Sequence, residues 1–297
     1  MLKRLFKVFV IVMSSIMVVW WLNVPLLDGD KPSGPRILVT TPLLQDLVIQ
    51  LAGPDINVET LIPRTETHES ATMRSGLAEK INQSDVVIYN GSSMDGPYET
   101  ITKFKQKGVV FININDVISR NRYSTVDYYW MNIMTWTSVS NYVQRRLMAA
   151  LPEIKSEISY RSLTYQKRLY ELNQRINSYV RKQSSDRQTV GLNHPALVPM
   201  FQLMRLEHQL INVPEQPTDD QVNTIIDQLK VAKVATVYPV QSSNLVALDA
   251  LSKSTFNQGW KLQILPPLMS MTLERKGRGI DTYLKMMDHN LRVIMGG

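Results

Sequence analysis

The sequence predicts an α/β protein with two parallel-sheet lobes, bridged by one long helix and preceded by an N-terminal membrane anchor or signal. Three observations support this fold class. A long segment without ionisable side chains lies near the N-terminus. After it, runs rich in Val and Ile alternate with stretches whose apolar residues recur at helical spacing. One polar segment with a single apolar face interrupts the alternation. Alternating strands and helices are typical of a parallel sheet with crossover helices.

Composition limits the class of protein before any motif is considered. The 297 residues are 44% hydrophobic and 20% charged, which is enough to bury a sizeable core and excludes a disordered chain. The chain has no cysteine, which excludes a disulfide framework, a zinc ribbon, a thiolate nucleophile and a lipid attached through an N-terminal cysteine. Because the net charge of +7 is not gathered into a basic tract, no nucleic-acid partner is expected.

Residues 1–30 have the features of a membrane anchor or an export signal. Lys3, Arg4 and Lys7 precede a segment of about twenty residues, 8–27, without an ionisable side chain, long enough to span a bilayer. No small-residue cleavage site follows it, so an uncleaved anchor is preferred over a cleaved signal with an untypical site. Since positive charge stays on the cytoplasmic side, the body is expected to be extracytoplasmic in either case.

The body divides into an N-terminal lobe (36–150), a bridging helix (151–184) and a C-terminal lobe (185–297). Short apolar runs predict four strands in each lobe, and helix-period stretches lie between them. The predicted strands are Ile37–Thr41, Val58–Ile62, Val86–Tyr89 and Val109–Ile114, then Thr189–Leu192, Gln209–Val213, Val234–Tyr238 and Gln263–Leu265. The predicted helices include Pro42–Ala52, Ser75–Gln83, Pro97–Lys107, Ala196–Arg205, Thr218–Ala232, Leu245–Leu251 and a final helix that carries Tyr283 and Leu291.

One long helix is predicted between the two lobes. From Leu151 to Gln183, apolar residues recur at spacings of three, four or seven with polar residues between them. Some thirty residues at about 1.5 Å each would make this helix roughly 45 Å long, which is enough to run along a two-lobed body. A free coiled coil is the alternative, although the apolar repeat is short.

The four histidines are the most informative chemical signal. His68 lies in a polar loop after a strand, and His194 closely follows another strand. Ligands of open parallel sheets bind at the carboxyl ends of the strands, so each lobe would present one imidazole to a shared cleft. Neutral imidazole is a common ligand of first-row metals, whereas the alternative is a pair of surface or capping histidines. His208 and His289 are predicted to be surface residues.

Other candidate chemistry is weaker. Glu69 beside His68 suggests the general base of a metal hydrolase, but no HExxH spacing accompanies it. The sequence also contains no phosphate-binding glycine loop and no nucleophile elbow. The aromatic residues before the long helix could line a cleft or pack in the core, and they are Tyr128, Tyr129, Trp130 and Trp136.

The chain resembles the zinc/manganese-type substrate-binding proteins of ABC importers. The resemblance covers nearly all of the chain after the linker, and it depends on the order and spacing of segments that are weak individually. These segments are Ile37–Gly53, Leu61–Pro63 with His68 and Glu69, Asp85–Gly91, Trp130–Asn132, His194 with Ala196, Gln216–Gln221 and Asp281–Leu291.

The resemblance implies a metal site with four protein ligands, but this chain matches it only in part. His68 and His194 fall on two of the ligand positions, and Tyr128 stands where the family has its second histidine. The family's aspartate and glutamate positions hold Pro266 and Pro239. A Tyr128 phenolate could be the third ligand, provided that the metal lowers a phenol pKa near 10. Asp127 or Asp281 could supply an acidic ligand instead, although Asp281 could also cap a helix.

The implied function is that of a non-enzymatic solute-binding protein outside the cytoplasm. It would capture zinc or manganese as the transported ligand and deliver it to an ABC permease in the membrane, most simply as a monomer. Two alternatives remain open. The first is a degenerate family member that acts as an anchored scaffold. The second binds a metal chelate or an organic molecule between the side chains of Tyr128, Tyr129 and Trp130.

Overall fold

A computed structural model describes residues 34–66, 68, 70–105, 107–119, 127–183, 189–214, 217–239, 245–257, 262–265 and 279–295. The compact body is the unit Arg36–Gly297. The predicted anchor or signal of residues 1–30 lies outside the described residues. Within the described residues, no helix is long and apolar enough to cross a membrane.

The first sheet is parallel and has the strand order β2-β1-β3-β4. Its strands are β1 (Arg36–Val39), β2 (Asn57–Thr60), β3 (Val86–Tyr89) and β4 (Val110–Asn113). All four residues of β3 are buried, as expected for a central strand that is covered on both faces. The order reverses direction between β1 and β3, which opens a crevice at the carboxyl ends of these two strands.

The helices of the first lobe agree with the predictions except after β3. Helix α1 (Pro42–Ala52) has the predicted bounds, and α2 (Leu77–Asn82) is followed by the short α3 (Asn115–Ile118). The helix predicted at Pro97–Lys107 is wrong, because 3-10 turns occupy Ser93–Tyr98 and Ile101–Phe104. Within the predicted range, Lys105 has an extended ψ of 130°, which ends the second 3-10 turn.

Two long helices follow the first sheet. Helix α4 (Ile133–Ala150) begins at Asn132, whose side-chain oxygen accepts hydrogen bonds from the backbone N–H groups of Met134 and Thr135. Helix α5 (Lys155–Lys182) has 28 residues, which makes it about 42 Å long. Its apolar face packs against α1 and α4, so α5 is the predicted bridging helix and not a free coiled coil.

The second sheet has the same arrangement as the first, with the parallel order β6-β5-β7-β8. Thr218 and Gln221 form the predicted capping box. The helix predicted at Ala196–Arg205 begins as a 3-10 turn, Pro195–Leu197. The elements are β5 (Val190–Leu192), α6 (Val198–Leu203), β6 (His208–Leu210), α7 (Asp219–Val231), β7 (Thr236–Tyr238), α8 (Leu245–Asn257), β8 (Gln263–Ile264) and α9 (Tyr283–Met295).

One continuous hydrophobic core joins residues of both lobes with α5 and α9. At its centre the ring of Trp136 stacks on Tyr283 with centroids 4.4 Å apart, and its Nε1 donates to the hydroxyl of Tyr165 at 2.8 Å. The hydroxyl of Tyr283 donates to the carbonyl oxygen of Trp130 at 2.8 Å. The C-terminal helix is therefore built into the core beside α4 and α5. The predicted fold class of two parallel-sheet lobes with a long helix is confirmed.

Candidate metal site

The structure brings the three predicted metal ligands together. His68 lies in the loop after β2, Tyr128 lies before α4, and His194 follows β5. The centroid of the Tyr128 ring is 5.6 Å from that of His68 and 5.4 Å from that of His194. All three residues are half-buried. The phenol thus stands between an imidazole from each lobe, at the carboxyl ends of both sheets.

His194 caps the 3-10 turn Pro195–Leu197. Its Nδ1 accepts a hydrogen bond of 3.1 Å from the backbone N–H of Ala196. A neutral imidazole that accepts at Nδ1 carries its proton on Nε2. Coordination of a metal through Nε2 would therefore require the proton to move to Nδ1, which would replace the hydrogen bond from Ala196. The capping role that the sequence allowed for His194 is observed, and the ring remains directed at Tyr128.

Tyr128 has an unusual backbone conformation for a large side chain. Its φ of 55° and ψ of 25° lie in the left-handed region, which is uncommon for residues with a Cβ and persists where the surroundings impose it. Trp130 packs edge-on against both Tyr128 and His68, with centroid separations of 5.7 and 6.3 Å. Because Trp130 is almost fully buried, it forms an apolar wall behind these two rings.

The other aromatic residues of this segment belong to the core. Tyr129 and Trp136 are buried, and their rings stack with centroids 6.2 Å apart. Burial raises the pKa of the Tyr129 phenol well above its ordinary value. The core-packing alternative is therefore correct for Tyr129 and Trp136, and Tyr129 does not form a cleft wall.

The carboxylates considered as further ligands are engaged elsewhere. Asp127 is exposed and accepts a hydrogen bond of 3.1 Å from the hydroxyl of Ser93. Asp281 accepts from Lys285 at 2.7 Å, and this hydrogen bond holds the pKa of the carboxyl below its usual value. Thr282, not Asp281, is the residue before α9, and its hydroxyl accepts from the backbone N–H of Lys285.

The residues that could complete the site are limited within the described part of the chain. Among the described residues, no group of three or more His, Asp or Glu side chains is placed to hold a metal ion. Glu69, Thr67 and Pro266 lie outside the described residues, and Pro239 is buried. The donors brought together are therefore two imidazoles and one phenol, a set that suits a first-row transition metal and keeps a position open for water.

The two remaining histidines have other surroundings. His208 is half-buried in β6, where its Nδ1 donates to the carbonyl oxygen of Leu206 at 2.9 Å and its ring packs against Phe201. His289 is half-buried on α9. Both are thus less exposed than the sequence predicted. Neither is among the rings that meet at Tyr128.

A cavity of about 420 Å³ lies at α5 and α9, and none of the three predicted ligands lines it. Its lining carries charges of both signs, including Arg168, Arg175 and Asp288. Asp288 is already paired with Arg175 and with Arg292. In all, three basic side chains, Arg168, Arg175 and Lys285, line the cavity together with two acidic ones, Glu171 and Asp288.

Asp95 is a structural residue of the site that the sequence did not reveal. It is fully buried between the ends of β1 and β3, and burial raises the pKa of its carboxyl. The carboxylate accepts hydrogen bonds from the hydroxyl of Thr40, from the backbone and side chain of Asn90 and from the backbone of Gly91. No spacing in the sequence indicates this network, because it joins Thr40 at the end of β1 to a turn that follows β3 much later in the chain.

The chain is similar in sequence to ABC transporter substrate-binding lipoproteins. An iron ABC transporter substrate-binding lipoprotein, MtsA of Streptococcus pyogenes serotype M1, is 22% identical over 286 residues that cover 88% of each chain. The manganese ABC transporter substrate-binding lipoprotein PsaA of Streptococcus pneumoniae serotype 4 is 21% identical over 315 residues, which cover 100% of this chain and 99% of PsaA.

Solved structures show the same fold. The periplasmic zinc binding protein TroA from Treponema pallidum has a TM-score of 0.73 at 18% identity, over 89% of this chain and 99% of TroA. The Zn(II)-bound ZnuA-like domain of Streptococcus pneumoniae AdcA has a TM-score of 0.73 at 19% identity, over 89% and 98% of the two chains.

A family model described as the periplasmic component A of a zinc-uptake complex matches residues 37–297, which is the whole of the two-lobed body. The matched range includes both parallel sheets and the long helix α5. The chain is therefore a member of the family of periplasmic component A proteins of zinc-uptake complexes.

Proposed function

We propose that the protein is an extracytoplasmic solute-binding protein that captures a divalent transition-metal ion and delivers it to an ABC permease. The observation that carries this proposal is the meeting of His68, Tyr128 and His194 between the two lobes. The names of the relatives support it, since they are substrate-binding proteins for iron and for manganese. The protein binds and releases its cargo as a monomer, without a chemical step. The relatives do not favour the alternative of an anchored scaffold.

The proposed ligands are the imidazoles of His68 and His194 and the phenolate of Tyr128. A phenolate is a harder donor than an imidazole, so this set favours manganese or iron more than a set of three imidazoles would. Coordination would displace the proton of the Tyr128 hydroxyl, whereas each imidazole would coordinate in its neutral form without a net loss of a proton. Binding should therefore weaken as the pH falls.

The test is calorimetric titration of the chelator-stripped full chain with Zn²⁺, Mn²⁺ and Fe²⁺. We expect sub-micromolar binding of at least one ion, as is needed to scavenge a trace metal, and loss of binding in the double variant His68→Ala, His194→Ala. The matched control is His208→Ala, His289→Ala, which removes the same number of imidazoles outside the site. Absence of binding by the parent, or equal losses in the two double variants, would contradict the proposal.

We further propose that residues 1–30 hold the body at the membrane as an uncleaved helix. This is supported by the segment 8–27, which lacks ionisable side chains, and by the absence of cysteine from a chain whose relatives are named lipoproteins. Carbonate extraction of membranes should leave the full chain in the pellet and release a variant that begins at Gly34. Mass spectrometry that finds a mature N-terminus near residue 28 would establish a cleaved signal instead.

A further inference from the structure

The turn that follows β3, from Asn90 to Gly96, touches both sides of the candidate metal site, and we call it the support turn. Its shape is fixed from within by the buried carboxylate of Asp95, which accepts from the backbone N–H groups of Asn90 at 2.9 Å and of Gly91 at 2.7 Å. The hydroxyl of Thr40, at the end of β1, donates to the same carboxylate. The support turn is therefore tied to the sheet edge on which the site is built.

On one side, the support turn lies against the backbone of His68. Gly96 has a φ of 54° and a ψ of −128°, a conformation that residues with a Cβ rarely adopt. A Cβ added to Gly96 would lie 2.3 Å from the carbonyl oxygen of His68, which is far inside van der Waals contact. The His68 backbone can approach the support turn this closely only because residue 96 is glycine.

On the other side, the support turn binds both chain neighbours of Tyr128. The hydroxyl of Tyr129 donates to Oδ1 of Asn90 at 2.8 Å, in a fully buried position. The hydroxyl of Ser93 donates to Oδ1 of Asp127 at 3.1 Å. Tyr128 itself has the left-handed φ of 55°, a conformation that persists where its surroundings impose it. Hydrogen bonds on both sides of Tyr128 provide that constraint.

We propose that the support turn is a positioning element that sets the separation between the rings of His68 and Tyr128. The centroids of these two rings are 5.6 Å apart. The support turn contacts the backbone of His68 and both chain neighbours of Tyr128. The consequence for metal affinity rests on the proposed function, whereas the positioning itself can be measured without metal. Outer hydrogen bonds that orient ligands typically contribute about ten- to a hundred-fold to metal affinity.

The first experiment measures ring contacts by NMR in the metal-free full chain with labelled His and Tyr. We expect Gly96→Ala to weaken the nuclear Overhauser cross-peak between the His68 and Tyr128 rings. Tyr129→Phe, which removes one hydroxyl, should weaken the Tyr128 contacts with both histidines. The matched controls are Gly108→Ala, at a positive φ of 92° in open space, and Tyr165→Phe, which removes a buried hydroxyl from α5. Both controls should keep the cross-peaks.

Unchanged His68–Tyr128 cross-peaks in both Gly96→Ala and Tyr129→Phe would overturn the proposal. If Gly96→Ala does not fold, Tyr129→Phe decides alone, because the loss of one hydroxyl leaves the shape of the core unchanged. Equal weakening in Tyr165→Phe would also overturn it, since the effect would then be a general loosening of the core.

The second experiment measures Zn²⁺ and Mn²⁺ affinity in a double-mutant cycle. Tyr129→Phe should weaken binding about ten- to a hundred-fold in the parent and should have little further effect in a Tyr128→Phe background. Equal losses in both backgrounds would mean that Tyr129 does not act through Tyr128. A parent that shows the expected ring contacts but binds none of Zn²⁺, Mn²⁺ and Fe²⁺ would contradict the proposed function and leave the positioning role standing.

Discussion

At the scale of single residues, the phenol of Tyr128 is the distinctive group of the candidate site. It stands between the two imidazoles, at a position where the family resemblance predicts a histidine. A phenol must lose a proton near pH 10 before it can coordinate, whereas an imidazole is neutral at pH 7. The substitution therefore makes binding depend on how strongly the metal acidifies the phenol.

Tyr128→His should raise the affinity for zinc by roughly ten-fold or more. The reason is that a third imidazole can coordinate zinc without first losing a proton, whereas the phenol cannot. Histidine also tolerates a positive φ better than most residues with large side chains. The measurement is a competition titration against a zinc chelator of known affinity. Tyr160→His is the matched control, since Tyr160 is 74% exposed on α5. A zinc affinity that is the same in the parent and in Tyr128→His would show that the ring at this position is not a ligand.

Asp46 is a second residue whose surroundings matter, because it ties α1 to the start of α9. Its Oδ2 accepts from the backbone N–H of Tyr283 at 2.8 Å. Burial raises the pKa of the Asp46 carboxyl to about 6. The hydrogen bond from Tyr283 and the charge of Arg64 lower this pKa, but by less than burial raises it. A carboxyl whose pKa is raised by folding stabilises the protein when protonated, and this stability is lost as the pH rises through the folded pKa.

Between about pH 4 and about pH 7, the free energy of unfolding of the parent should therefore fall by about 3 kcal/mol relative to Asp46→Asn. The asparagine keeps an oxygen that can accept from Tyr283 but does not titrate. Urea denaturation across this range provides the measurement. Asp281→Asn is the control, because the pH dependence of stability that it removes has the opposite sign. The Asp281 carboxyl has a lowered pKa, so its stabilising effect is lost as the pH falls. Parallel pH profiles for the parent and Asp46→Asn would refute the expected linkage.

At the scale of elements, α5 stabilises the body through one face only. Its residues at helical spacing, including Ile158, Tyr165, Leu169 and Ile176, are buried in the continuous core. The opposite face is polar apart from a few exposed apolar side chains such as Leu163. Most of the contribution of α5 to stability must therefore come from its packed stripe and not from helix propensity.

Leu169→Ala should lower the free energy of unfolding by about 2 to 5 kcal/mol, because it leaves a cavity at a position that is 1% exposed. Leu163→Ala removes the same atoms from the same helix at a position that is 66% exposed, and it should change stability by less than about 0.5 kcal/mol. Chemical denaturation of the two variants compares them directly. Similar losses in both would mean that the outer face of α5 is covered in solution.

At the scale of the whole molecule, a single core and a long helix connect the lobes. The core cluster that contains Leu44 and Ile88 of the first lobe also contains Leu192 and Met200 of the second. A core shared in this way resists hinge bending, since opening it would expose packed apolar side chains. Metal entry and release should then depend on small movements of the loops around the site.

Small-angle scattering of the full chain should therefore give the same radius of gyration with and without a saturating metal ion. The variant His68→Ala, His194→Ala under the same metal concentration serves as the control for metal effects outside the site. A clear contraction of the parent that is absent from the double variant would mean that the lobes close on the metal as rigid bodies.

The sequence predicted those parts of the molecule that local signals determine. Helix α1 has the predicted bounds because Pro42 and Gly53 mark its two ends. Strand β3 has the predicted bounds because it is formed by a run of buried residues rich in Val and Ile. Helix α4 was not predicted, and the helix at Pro97–Lys107 was wrong. One face of α4 is buried in the core that it shares with α5, and local patterns do not contain such tertiary contacts.

The same distinction applies to the candidate site. The positions of His68 and His194 after strands were enough to predict that they face a common cleft, because the carboxyl ends of parallel strands form one edge. The hydrogen bond from Ala196 to Nδ1 of His194 and the buried carboxylate of Asp95 depend on atoms placed by tertiary structure. That His68, Tyr128 and His194 ligate a metal stays a prediction, as do the domain boundaries at residues 150 and 184.

The position of α9 in the core also determines when the protein can fold during its biosynthesis. Tyr283 reaches back to Asp46 and Trp130, which are 237 and 153 residues earlier in the chain. The segment that carries Tyr283 must therefore be synthesised before these contacts can form. Until then the Trp136 ring lacks its Tyr283 neighbour, and the core around it stays incompletely packed.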